Sequence, residues 1–208
     1  MSASMKAAVM VRLGHIEIQE RPLPEPGPGE VRIKIMAVGI CGSDVHYYKE
    51  GRIGATKAVF PSILGHEPAG IIDKAGPGAH LPPGTRVAVE PGVSCMQCAI
   101  CLEGRFNCCP HVKFLASPPI EGAFCQYRVM PEHNCLPLPD DIDYIEAALL
   151  EPLAVGLHAV RLARLEIGQT AAIFGSGPIG LAALLATRLA GASKVYMTDI
   201  VPALSLIH

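Results

Sequence analysis

Charge is scarce in this chain, and no stretch of it is both long and evenly apolar. Charged residues make up 17% of 208, and 17 Lys and Arg nearly balance 19 Asp and Glu, leaving a formal net charge of -2. With a pI near 6.4, such a chain lacks the basic footprint that neutralises nucleic-acid phosphates. No run of Lys or Arg forms the polybasic patch of a membrane-surface protein. The opening "MSASMKAAVMVRLGHIEIQE" meets Lys6 and Arg12 before an apolar core develops, so it does not read as a signal peptide. The longest apolar stretch, "TAAIFGSGPIGLAALLATRLAGA", is broken by Gly175, Ser176, Gly177, Pro178, Gly180 and Arg188. It reads as strand, turn and helix rather than a membrane span. Half the residues are hydrophobic, which argues for packed cores over disorder. The expectation is a soluble, cytoplasmic protein of one large or two small domains, with no nucleic-acid or membrane partner.

Against that background the eight cysteines need an explanation. Disulfides are rare in reducing compartments, so clustered cysteines point to metal or redox chemistry. "CMQCAICLEGRFNCC" places Cys95, Cys98, Cys101 and Cys109 in a C-x2-C-x2-C-x7-C pattern. Two short steps let thiolates in tight turns converge on one tetrahedral ion, and the longer step returns a fourth from the far side. A closed all-sulfur shell suits structural zinc and leaves no place for a substrate. The bland alternative is a chance cluster of buried thiols, and the chemical rival is an iron–sulfur site. Cys108 reads as a bystander beside Cys109.

The first half of the chain reads as β structure. "MKAAVMV", "HIEIQE", "EVRIKIMAV", "PAGIIDKAG", "TRVAVEPG" and "AFCQYRV" are β-prone runs. Most of the 19 prolines and 21 glycines fall between such runs, as turn chemistry requires. The spacer "RPLPEPGPG" excludes both helix and central strand. Helical spacing begins after Asp140 and Asp141 and continues to Leu165, with Pro152 expected to separate two helical pieces. Strand "TAAIF", a glycine turn, helix "PIGLAALLATRLAG" and strand "KVYMTD" then form a β-α-β unit. The expected domains are residues 1–155 and 156–208. The chain contains no internal repeat or low-complexity segment.

Two further constellations carry chemistry. "FGSGPIG" presents Gly175, Gly177, Pro178, Ile179 and Gly180 as G-x-G-x-x-G between a strand and a helix. There the helix N-terminus offers free amides and a favourable dipole to a pyrophosphate. Asp199 ends the next strand where a ribose-binding carboxylate belongs, which favours NAD over NADP. Earlier, Cys41, Ser43, Asp44, His46 and Tyr47 gather in what reads as a polar loop, and "LGHEPAG" supplies His66 and Glu67. "LEPLAVG" adds Glu151. A catalytic zinc needs about three protein ligands and one open position. From the residues alone, Cys41 reads equally as a core thiol, His66 as a satisfied buried histidine and Glu151 as a helix cap.

Taken together, "GICGSDVHYY", "GRIG", "PSILGHEPAG", "VEPG", "ASPP", "LEPLAVG" and "GSGPIGL" resemble the zinc-dependent medium-chain dehydrogenase/reductase family. The polyol branch, of sorbitol (L-iditol) and xylitol dehydrogenases, is the nearest in pattern. The resemblance runs from Met5 to about Asp199 with the family's order of motifs. It implies an α/β fold, with a β-rich GroES-like catalytic domain followed by an incomplete Rossmann NAD-binding domain. Cys41, His66 and Glu67 match catalytic zinc ligands, and the cysteine quartet matches the structural zinc. Ser43 matches the proton-relaying hydroxyl, and Asp44 a carboxylate that orients the zinc histidine. Glu151 matches the glutamate near the metal's exchangeable ligand, while Tyr47 and Phe114 match pocket positions. His46 either extends the relay or is a solvated loop residue. The implied reaction moves hydride from a polyol or other secondary alcohol to NAD, giving a ketose. The resemblance also implies a homo-oligomer, a tetramer, for an intact chain. The family's Rossmann domain has about six strands and continues past this point, so the chain reads as C-terminally truncated with "ALSLIH" a divergent tail. A second expectation follows: a non-catalytic zinc-binding product that at most associates with full-length subunits.

Overall fold

Alternating side chains put one face of each N-terminal strand into a core, and the β-prone runs become strands accordingly. The computed structural model describes residues 3–205. In chain order these give β1 (Ser4–Arg12), β2 (His15–Pro22), β3 (Glu30–Gly39), α1 (Gly42–Glu50), β4 (Arg52–Ile53), β5 (Thr56–Lys57), β6 (Ser62–Ile63) and β7 (Glu67–Ala75). Next come β8 (Arg86–Val89), β9 (Gly92–Val93), α2 (Ala99–Leu102), β10 (Lys113–Phe114), β11 (Tyr127–Pro131), β12 (Cys135–Pro137) and α3 (Tyr144–Ala148). The rest is α4 (Leu150–Ala163), β13 (Thr170–Phe174), α5 (Pro178–Leu189), β14 (Lys194–Thr198) and α6 (Pro202–Ser205).

The main sheet is antiparallel in the order β11-β3-β7-β8-β12. Its inner face buries Val31, Ile33, Ile72, Val87 and Met130 in one core. A second sheet, β2-β1-β6, buries Val9 and Ile63. The run expected as the strand "AFCQYRV" performs two tasks. Tyr127 onward is regular strand, whereas Phe124–Gln126 stitches the sheets together. Its Phe124 carbonyl accepts from Ala8, Gln126 donates to the Lys6 carbonyl, and the Gln126 carbonyl accepts from Ile35. In β2 the alternating Ile16 and Ile18 face outward, so that alternation marks a strand but not a core face.

The proline-rich spacer covers the end of β3. Arg32 is almost fully buried, and its guanidinium reaches Asp73 at 2.6 Å and Glu25 at 2.9 Å. It also donates to the Pro24 carbonyl at 3.1 Å, while Glu25 binds Lys74 at 2.5 Å. A buried cation is tolerated only when so paired; β7 supplies Asp73, and the spacer supplies Glu25 and the Pro24 carbonyl.

The chain divides into two units between Ala148 and Leu149, earlier than the expected boundary near Val155, which lies inside α4. The expected break at Pro152 is also displaced. The break falls at Leu149, between α3 and α4, and Pro152 sits in the first turn of α4. First-turn amides have no intrahelical acceptor, so proline costs little there. In the second unit, β13 and β14 pair in parallel from Thr170↔Lys194 to Phe174↔Thr198, with α5 between them in sequence and packed on α4. Phe174, Leu189 and Ile200 are 86%, 84% and 99% exposed, so much of this unit's apolar surface faces outward. Among the described residues no helix is long and apolar enough to cross a membrane.

Replacing Arg32 by Met should therefore lower unfolding stability by about 1–3 kcal/mol, the range for charged hydrogen bonds lost from a buried group. Urea unfolding followed by circular dichroism measures this. A change within about 0.5 kcal/mol would show that the spacer is not anchored through Arg32.

Candidate metal and dinucleotide sites

The polar stretch after Cys41 is not a loop but helix α1. Its first turn is held by Asp44, whose Oδ2 accepts the Cys41 amide at 3.0 Å, the carboxylate half of a capping box. Gly51 ends the helix in the left-handed region at φ 68°. The other oxygen of Asp44 accepts the Gly65 amide at 2.9 Å. One buried carboxylate thus ties the segment bearing Cys41 to the segment bearing His66 and Glu67. Asp44 lies 3.9 Å from His66 Nδ1, beyond hydrogen-bond reach, so it acts on the backbones around the ligands.

Cys41 Sγ, a His66 ring nitrogen and a Glu67 carboxylate oxygen converge within 4.8 Å of one another. His66 and Glu67 are buried and Cys41 is half-buried. Sulfur, imidazole and carboxylate from three side chains fit zinc and leave a fourth position open. Gly39 makes the arrangement possible. It pairs with Glu67 across β3 and β7, and a Cβ there would lie 1.9 Å from Glu67 Oε2. The Phe114 ring packs 5.4 Å from that of His66.

Around this centre, Ser43 is half-buried in the first turn of α1. Tyr47 lies one turn later, packed with Met10 and Leu64. Burial pushes its phenol pKa up, opposed by a hydrogen bond with Ser117. His46 sits on the outer face of α1, 2.8 Å from Glu50, and is exposed. Glu151 belongs to the first turn of α4 in the second unit.

The four cysteines of the quartet also converge within 4.8 Å, while Cys108 stays exposed outside the group. Their loop is closed at its base by the antiparallel pair β9 and β10. Met96, at φ 56°, takes the left-handed conformation inside the first C-x2-C turn. The amides of Gln97 and Cys98 then hydrogen-bond Cys95 sulfur and pull its pKa down to about 6. Sequence spacing revealed the quartet, but not this strained, thiolate-stabilising turn. Asn134 was missed as well: its buried amide donates to the carbonyls of Glu90 and Gly92, fixing the approach to the lobe.

In the second unit the glycine turn links β13 to α5. Gly175 has φ +109°, and a Cβ on Gly180 would lie 1.9 Å from the Gly175 carbonyl. Gly177 is the N-cap, Pro178 opens the helix, and Ile179 is exposed. Asp199 follows β14, with its oxygens accepting the amides of Ser176 at 2.7 Å and Val201 at 2.8 Å. The Ser176 amide first, then that of Val201, holds the carboxyl below its ordinary pKa, so it stays anionic.

Residues 27–140 match the alcohol dehydrogenase GroES-like domain, and the chain belongs to that family. Its fold is α/β: a β-rich GroES-like domain followed by a β-α-β unit of Rossmann type. Sorbitol dehydrogenase from Bacillus subtilis (strain 168) is 50% identical over 200 residues, which is 96% of this chain and 57% of that protein. The structure of L-idonate 5-dehydrogenase from Escherichia coli K-12 superposes with a TM-score of 0.91 at 31% identity, covering 98% of this chain and 60% of that one. A short chain alcohol dehydrogenase from E. coli CFT073, complexed with NADH, gives 0.90 at 31% identity over 98% and 59%. The chain therefore spans little more than half the length of these relatives.

Two convergent donor groups predict two zinc ions per chain. Gly39→Ala should push the Glu67 carboxylate aside and weaken one zinc roughly 10–100-fold, as loss of ligand support typically does. The quartet should keep its ion. Competition against a chromophoric chelator reads both affinities, and an unchanged weaker site would contradict the packing argument.

Proposed function

We propose that the chain carries the zinc- and NAD-binding parts of a dehydrogenase that oxidises a polyol or similar secondary alcohol to a ketose. The observation that carries this reading is the open sulfur–nitrogen–oxygen donor set of Cys41, His66 and Glu67 beside a hydroxyl, Ser43, on the same turn of chain. Sorbitol and L-idonate dehydrogenase relatives support the polyol class. When bound, zinc supplies Lewis-acid acidification of the substrate hydroxyl, and NAD supplies the hydride acceptor. Ser43 Oγ takes the released proton and passes it outward, a task open to a half-buried hydroxyl two residues after Cys41. Asp44 keeps Cys41 and His66 in place through the amides of Cys41 and Gly65. Tyr47 and Phe114 line the substrate side. The amides of the Gly175–Gly180 turn hold the pyrophosphate. Anionic Asp199 receives the ribose hydroxyl and repels a 2′-phosphate. The active form is a homotetramer in the cytoplasm.

Cobalt substituted for zinc gives a thiolate charge-transfer band that responds to ligands at an open site. Sorbitol or xylitol should shift that band in the chain as it stands, and Cys41→Ser should abolish the shift while the band of the cysteine quartet persists. Extended to the length of its relatives, the protein should reduce NAD with polyol, and Ser43→Ala should lower kcat by roughly 10²–10⁴-fold. No spectral response to any polyol and no turnover in the extended protein would overturn the enzymatic reading.

A further inference from the structure

Five buried side-chain polar atoms have no hydrogen-bond partner among the described residues, and three of them cluster: Arg21 Nε, Arg128 Nε and Ser62 Oγ. None of these three belongs to the metal or dinucleotide sites. Arg21 and Arg128, with Tyr127, line a cavity of about 350 Å³ in the first unit. Ser62 lines an adjoining cavity of about 230 Å³, and the two share Ile63 and Glu121 in their walls.

Topology explains how the two arginines meet. Arg21, near the end of β2, pairs with Met5 of β1, and Met5 is itself in the cavity wall. The other side of β1 takes the incoming segment before β11, where Gln126 donates to the Lys6 carbonyl. Arg128 follows two residues later, so the cationic side chains come from strands of different sheets on either side of β1. Neither guanidinium has a hydrogen bond or ion pair within the described residues, in contrast to the fully partnered Arg32.

The chemistry then asks for an acceptor. Each arginine is half-buried, with its Nε–H shut off from water and unpaired, and a buried donor left unpaired is costly. Glu121 is the one carboxylate in the wall and forms no ion pair with either arginine. Two guanidinium groups against one carboxylate leave the cavity net positive. Planar guanidinium forks match carboxylate and phosphate oxygens. The volume also admits a small molecule carrying such a group.

We infer that this cavity is a binding site for a small oxyanion, a phosphate or carboxylate group, held by Arg21 and Arg128, with the Ser62 hydroxyl in the adjoining cavity. The bound anion would clamp β2 to β11 and so join the two sheets. The site is separate from the proposed zinc chemistry and does not rest on it.

The test is calorimetric titration of the zinc-loaded chain with inorganic phosphate and, separately, malonate, against sodium chloride at equal ionic strength. Saturable binding of one anion per chain is expected, with a thermal midpoint that rises with occupancy. Phosphate and malonate distinguish a phosphoester from a carboxylate ligand. Arg128→Gln and Arg21→Gln should each weaken binding at least tenfold. Arg128→Lys, which keeps the charge but removes the Nε–H donor and the planar fork, should also weaken it. Cys41→Ser should leave it intact, which separates this site from anion capture by the open metal. Binding lost in Cys41→Ser, or equal in wild type and all arginine variants, would overturn the inference. So would the absence of saturable binding by wild type, whether or not the variants fold. A response that appears only with dimerisation would overturn it in favour of a carboxylate from a second copy.

Discussion

The candidate metal centre depends on one buried carboxylate. Asp44 accepts the Cys41 amide with one oxygen and the Gly65 amide with the other. The two amides belong to segments that are distant in sequence: one is the amide of the candidate ligand Cys41 itself, and the other directly precedes His66. The carboxylate is almost wholly buried, so exchanging these bonds for water is not available to it and the geometry is fixed before any ion arrives. Everything nearby follows this constraint. Helix α1 starts where Asp44 caps it, and Tyr47 is brought inward one turn later. Gly65 stands at φ +87° to present its amide.

The cysteine lobe is coupled to this centre through ordinary packing. Its loop leaves from β9 and returns at β10, whose last residue, Phe114, pairs with Gly92 and stacks near His66. Asn134 holds the carbonyls of Glu90 and Gly92, on the segment that enters the lobe. An ion held by the quartet would steady a ring against the imidazole as well as close its own loop.

Legibility varied with the kind of signal. Strand "TAAIF" matches β13 from first to last residue because a short apolar run bounded by a polar approach and a glycine turn has few other solutions. The quartet was legible from spacing, since thiolate ligands in tight turns have few workable separations. Helix α1 was not. Gly42, Ser43, Val45 and two tyrosines are weak helix formers without a clear apolar stripe, and the cap is built by Asp44 on a cysteine rather than on Ser or Thr. A carboxylate three residues after Cys41 with Gly51 at the far end was the signal available. The stitching by Phe124–Gln126, the burial of Arg32 and the meeting of Arg21 with Arg128 are tertiary facts. Each depends on partners whose proximity no local pattern encodes.

The account thus joins two ion sites of different character: four sulfurs that close a lobe, and one sulfur, one imidazole and one carboxylate that leave a position free. X-ray absorption at the zinc edge of the fully loaded chain tests that claim most directly. The account predicts two environments in equal amount, one all-sulfur and one with a single sulfur among nitrogen and oxygen neighbours. A single all-sulfur environment, with no second zinc retained, would contradict it.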